Sequence, residues 1–302
     1  GGFALYVPLA LDIRRLRPEA PIVMPILRHC SLLAPPFDPP PPLDTTHVIA
    51  SLAAALQRHA PASAPPRAAF LGHSLGTAFF ASVAQQRPEL IACTLLVDPI
   101  CFLLYRHHVL YNFLYRTPTP LRKSLRQVLH AGYFFRLALH YILKLEPTIQ
   151  SCFRREFWWG RHWLHPAELR AWPSKVVLSG RDAIVPAQLV HSCFLKLKLS
   201  GSGKAAGALQ HERGERRPHA ELELHERWHH GWSMLAPGSR GRLIGGLSGL
   251  MDEAMGRKRG AGVHGIARAH TAATYGSTSA TSSEIDTEED QSGHGRDVAC
   301  TP

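Results

Sequence analysis

Arg67-Ala68-Ala69-Phe70-Leu71-Gly72-His73-Ser74-Leu75-Gly76 is the stretch on which the fold turns. A short apolar run stops at Gly72, and helical character resumes over Thr77 to Gln86, so Ser74 stands where a strand gives way to a helix. Gly72 and Gly76 flank it. Without side chains they allow a sharp junction to approach its neighbours closely, which lifts a serine hydroxyl above the end of a sheet. A hydroxyl is a poor nucleophile at neutral pH and needs a base to take its proton.

Working outward, Leu90 to Val97 is a continuous apolar run, and strand, helix, strand at this spacing predicts a parallel sheet. Lys175 to Ser179 continues it, and the alternation Ala220, Leu222, Leu224 marks a later strand. Upstream, Pro21-Ile22-Val23-Met24-Pro25 reads as a short buried strand, and Pro35 to Pro42 as a rigid exposed loop. Asp44 and Thr45 can cap a helix carrying Val48, Ile49, Leu52, Ala55 and Leu56 on one face, ended by His59 to Pro66. Leu243 to Met255 offers a closing helix. The expected class is α/β: a mostly parallel sheet with helices on both faces.

Between Pro99 and Leu145 the pattern changes to aromatic and aliphatic residues interleaved with Arg106, Arg116, Arg122, Lys123, Arg126, Arg136 and Lys144, with no Asp or Glu. This reads as a helical cap inserted between core strands. The expected organisation is a core over residues 1–98 and 174–255, a cap over 99–173, and a disordered low-complexity tail over 256–302. Residues 200–218 form a Gly- and charge-rich excursion before the last strand.

The chain has 302 residues and a formal net charge of +11, enough length for one large core and a charge that fits an anionic partner. Six cysteines lack both the paired spacing of a zinc site and the density of a disulfide scaffold, which points to a reducing, intracellular setting. Charges interrupt every apolar run before it reaches the roughly eighteen residues of a membrane span. No nucleic-acid recognition module accompanies the basic charge, so no nucleic-acid partner is expected. The first residue is Gly1, which reads as a truncated start and leaves targeting, and with it the compartment, open.

A base and its orienting acid fit this topology in the chain order serine, acid, histidine, each on a loop after a core strand. Asp182 follows Lys175 to Ser179 in Ser179-Gly180-Arg181-Asp182, and Asp98 ends Leu90 to Val97 as the alternative acid. His230, in Trp228-His229-His230-Gly231-Trp232, is the chosen base, with His225 and His229 close enough to replace it. Donors for a tetrahedral oxyanion are the amide of Leu75 and a second amide from Gly2 or Phe3, at the remnant of an earlier loop.

Gly72 to Gly76, Asp182 with Ile184-Val185-Pro186, and His230-Gly231 together resemble the α/β-hydrolase family, the AB hydrolase-1 domain, over roughly residues 1–255. Asp98-Pro99-Ile100-Cys101-Phe102, Tyr111 to Arg116 and Arg155-Glu156-Phe157-Trp158-Trp159 are similar to a eukaryotic branch of it. The resemblance implies a serine hydrolase acting on a carboxylic ester through Ser74, His230 and Asp182. Acyl transfer or thioester cleavage by the same residues, and a catalytically silent binding protein on the same fold, stay open. No metal or organic cofactor is implied. In this fold Phe102, Leu103, Tyr105, Tyr111, Phe113, Tyr133, Phe134 and Phe135 would line an acyl pocket for a small lipophilic ester. The basic cap would face outward, in peripheral contact with an anionic membrane. Trp158, Trp159 and Trp163 are expected as packing anchors. The sequence does not give the oligomeric state.

Overall fold

Ile91–Val97 explains the centre of the molecule. Apart from Thr94 it is wholly apolar, so neither face of this strand can meet water and both must be covered. The computed structural model describes residues 3–27, 44–61, 63–115, 147–197 and 220–256. Among them four strands, β1 (Ala68–His73), β2 (Ile91–Val97), β3 (Ser174–Ser179) and β4 (Ala220–His225), form a parallel sheet in the order β1-β2-β3-β4. All four match strands expected from the sequence.

Two cores flank the sheet. On one face Leu96, Val176 and Leu178 pack with helices α2 (Thr45–His59), α3 (Leu75–Gln86) and α5 (Ala187–Lys196) through Ile49, Phe80, Val190 and Phe194. On the other, Cys93, Leu95, Val97 and Val177 meet α1 (Phe3–Leu16) and α6 (Pro237–Ala254) through Leu9, Leu243, Ile244 and Leu247. Odd and even strand positions thus serve opposite cores, as the pleat requires. Asp44 caps α2 by accepting from the Thr46 amide at 2.9 Å. Across the second face Arg17 of the segment after α1 reaches Asp252 on α6 at 2.5 Å.

The stretch between β2 and β3 contributes a short turn at Cys101–Leu103 and helix α4 (His107–Leu114), followed by a π-helical turn at Cys152–Glu156. Here three expectations change. Phe102 and Leu103 line no pocket: both are buried in the main core, Phe102 edge-on to Phe194 with centroids 5.4 Å apart. They follow a central strand too closely to leave its packing layer. Trp158 is no anchor, being 58% exposed, while Trp159 and Trp163 do pack against the core. Pro21 to Pro25 is not a strand; it runs outside any helix or sheet and is largely exposed. Its two prolines bring no amide donor to a ladder. Tyr133, Phe134, Phe135, the basic residues 116–144, the excursion at 200–218 and nearly all of the tail lie outside the described residues. No helix among the described residues is long and apolar enough to cross a membrane.

Candidate active site

Ser74 caps α3 with φ 51° and ψ −117°, a backbone conformation that side chains other than glycine rarely adopt. Strain of this kind persists only where neighbours over-determine it. They do so here. The Ser74 amide donates to Val97 O at 3.0 Å, and Ser74 O accepts from the Thr77 amide at 2.9 Å and the Thr77 hydroxyl at 2.6 Å. Thr77 Oγ1 accepts in turn from the Ile100 amide at 3.1 Å, tying the junction to the chain after β2. A Cβ on Gly72 would stand 3.3 Å from Gly76 O and from the Thr77 backbone, so closeness is required there; one on Gly76 meets nothing within 4 Å. Of the two flanking glycines, only Gly72 is demanded by packing.

Leu75 opens α3, so its N–H is one of the first-turn amides that lack an intrahelical partner, and the helix dipole adds partial positive charge there. Phe3 likewise opens α1, and Gly2 lies outside the described residues. The first turn of α1 reaches the junction through Tyr6, whose hydroxyl is 2.8 Å from His73 Nδ1.

Asp182 and His230 are brought together. His230 Nδ1 is 2.6 Å from Asp182 Oδ2, and the carboxylate side chain is 1% exposed. The other oxygen, Oδ1, accepts from the amides of Ile184 and Val185 at 2.7 and 3.0 Å, fixing the carboxylate's orientation. The two loops are laced to each other: Gly180 N donates to His225 O and Arg181 N to Trp228 O, each at 2.8 Å. A Cβ on Gly180 would fall 2.6 Å from Glu226 Cα, so that crossing needs glycine. The His230 ring packs on the His73 ring with centroids 5.1 Å apart, which sets His230 beside the residue preceding Ser74.

Asp98, the alternative acid, has other hydrogen-bond partners. It is buried with φ 45°; Oδ1 accepts from the Ser179 amide at 2.8 Å, and Oδ2 accepts from the Ser179 hydroxyl at 3.0 Å and the Gly231 amide at 2.7 Å. Its carboxylate therefore clamps the end of β3 to the residue after His230. The other histidines are also occupied. His225 stacks on Trp228 with centroids 3.5 Å apart and pairs with Glu223 at 2.6 Å, and exposed His229 lies 3.2 Å from Arg181 O.

Burial works against a charged His230, but the charge and hydrogen bond of Asp182, joined by the charge of Asp98, outweigh it and raise its pKa above the usual imidazole value. Burial raises the Asp98 carboxyl, with Asp182 adding to the rise and His230 opposing it. Burial, helped by the neighbouring His230, lowers His73 to about 3, so this ring stays neutral. His73, Asp98 and His230 offer ligand atoms within 4.8 Å of one another. The Asp98 oxygens already accept three hydrogen bonds and His230 Nδ1 faces Asp182, so these ligand atoms are engaged within the protein. Tyr6 and Ser179 carried no signal in the sequence; His73 did, by adjacency to Ser74, but without indicating a role.

No family model matches the sequence, and no curated protein matches it. Solved structures do. The deformylase Nfo from Pseudomonas putida is 14% identical with a TM-score of 0.36, over 68% of this chain and 74% of that one. A protein named as a non-heme bromoperoxidase, from Mycobacterium tuberculosis, is 15% identical with a TM-score of 0.40, over 70% and 75%. A serine hydrolase from the polyaromatic-hydrocarbon-degrading Cycloclasticus zankles is 14% identical with a TM-score of 0.38, over 72% and 74%. The architecture is an α/β-hydrolase fold, by its parallel strand order, its covered faces and its strained strand-to-helix serine.

Proposed function

We propose that the chain is a serine hydrolase that cleaves carboxylic esters of lipophilic, lipid-like character through Ser74, His230 and Asp182. The observation that carries this reading is the 2.6 Å bond between His230 Nδ1 and Asp182, on an imidazole packed against the residue preceding a strained serine. His230 Nε2 takes the Ser74 proton as Oγ bonds the acyl carbon, and the oxyanion forms beside the Leu75 amide. The imidazolium returns that proton to the departing alcohol oxygen as the ester C–O bond breaks. Water then attacks the acyl-enzyme, gives a proton to His230, and releases the acid as Ser74 recovers its hydrogen. Asp182 keeps Nδ1 protonated throughout, leaving Nε2 free to act as base. The lipophilic part of this reading comes from the sequence, from the aromatic and aliphatic character of residues 99–145 as a whole.

The test is labelling by a fluorophosphonate, which reacts with activated serines, read as intact mass. The expected result is one adduct, lost in Ser74→Ala, together with turnover of p-nitrophenyl esters that improves with acyl chain length. A folded protein that takes no label overturns the reading.

A further inference from the structure

We propose that helix α4 and the turn at Cys152–Glu156 form a docking face for an anionic phospholipid bilayer. Among the described residues the large exposed Tyr and Trp side chains are Tyr111, Tyr115, Trp158 and Trp232; Tyr111 and Tyr115 belong to α4 and its C-terminal end, and Trp158 follows the turn by two residues. His107, His108, Tyr111 and Tyr115 recur at helical spacing and are all exposed, while Val109 on the opposite side is buried. Tyr111 and Tyr115 lie with ring centroids 5.6 Å apart, and the guanidinium of exposed Arg154 stands 5.3 Å from the Tyr115 ring. Phe113 meets Phe153 at 4.8 Å, which joins the helix to the turn carrying Arg154 and exposed Arg155.

This is an aromatic surface bearing cations. Tyr and Trp present an apolar body and a polar tip, the combination that settles at the level of lipid headgroups, and arginine adds attraction to anionic lipid. Charge complementarity favours an anionic bilayer, because Arg154 and Arg155 are exposed beside these rings and the chain carries a formal net charge of +11. The inner side of α4 is fastened near the site: Asn112 Nδ2 donates to Ile184 O at 3.3 Å, and the Ile184 amide donates to Asp182. A bilayer held at this face therefore lies beside the loop that carries the acid. The inference deepens the hydrolase reading by giving its lipid-like substrate a source, but the surface itself does not involve Ser74.

The full chain is sedimented with phosphatidylcholine vesicles, with and without phosphatidylserine. Binding is expected only with phosphatidylserine, falling as salt rises. It should weaken about fivefold for each of Arg154→Ala and Arg155→Ala, and at least as much for Tyr111→Ser with Tyr115→Ser. Brominated acyl chains should quench tryptophan emission, and the quenching should shrink in Trp158→Phe. These positions are exposed, and circular dichroism checks that each variant folds. Equal binding to neutral vesicles, no binding to either, or binding unchanged by the variants overturns the proposal, as does a face whose variants alter only self-association. Ser74→Ala must bind as wild type does. Fluorophosphonate labelling without vesicles tests the hydrolase reading separately, so either idea can fail alone.

Discussion

Replacing Asp98 by asparagine separates a clamp from a catalytic acid. Asparagine tolerates the left-handed backbone almost as well as aspartate, so the change leaves φ 45° acceptable and acts on the hydrogen bonds. One carboxylate oxygen becomes an NH2 group, and it must face either the Ser179 amide or the Gly231 amide, both now donors at 2.7 to 2.8 Å. One buried amide is left without an acceptor, which costs roughly 1–3 kcal/mol, partly offset because a buried charge disappears. Asp98→Ala orphans both amides and costs about 2–5 kcal/mol. Urea denaturation should show these losses, and a loss of about 2 kcal/mol lowers Tm by roughly 4–8 °C for a domain of this size. Because Gly231 adjoins His230, kcat/KM should fall about tenfold as the imidazole loosens. Asp182→Asn should instead cost about ten-thousandfold in kcat, by mispositioning the imidazole proton, with little change in stability. An Asp98→Asn protein of undiminished stability that loses esterase activity as completely as Ser74→Ala would refute this division of labour and make Asp98 the acid.

Gly180→Ala forces a Cβ to within 2.6 Å of the Glu226 backbone, so it should destabilise by about 2 kcal/mol or more, seen as a lowered urea midpoint. Gly231→Ala combines φ 72° with a Cβ 3.2 Å from the His73 ring and should lower kcat more than it raises KM. In the proposed mechanism His230 accepts the Ser74 proton only when neutral, and its pKa is raised, so the acid limb of kcat/KM against pH should lie above 6.5; a limb well below 6.5 contradicts the Asp182 pairing. His73 and His162 have folded pKa values lowered to about 3 and about 4, the first chiefly and the second most strongly by burial. The unfolded chain therefore binds their protons first, so stability present above 6.5 is lost as pH falls toward 4. His230 works in the opposite sense. His162→Gln should flatten the acid slope of Tm, and an unchanged slope would mean that His162 is not held neutral.

Much of this arrangement was written locally, and what was not depended on contacts between distant residues. The Gly72 to Gly76 junction, β2 and β3 are legible because apolar runs bounded by turn residues leave the chain few choices. Apolarity misleads at Pro21 to Pro25, where no ladder can form, and at Phe102, where an aromatic residue after a strand belongs to the core beneath the insertion. Asp182, the acid preferred from the sequence, and Asp98, its alternative, look alike locally, since each follows a parallel strand and precedes a turn. The difference lies in backbone direction. At Asp98 a positive φ carries the carboxylate back toward Ser179 and Gly231, while Asp182, held by the amides of Ile184 and Val185, leaves one oxygen aimed at His230. Two carboxylates thus act on one histidine in different ways, one bonding its ring and one bonding the amide next to it. Three of the four positive-φ residues among those described, Ser74, Asp98 and Gly231, meet in this space. Conformational strain concentrated around one imidazole is what the fold tolerates in order to hold that imidazole still.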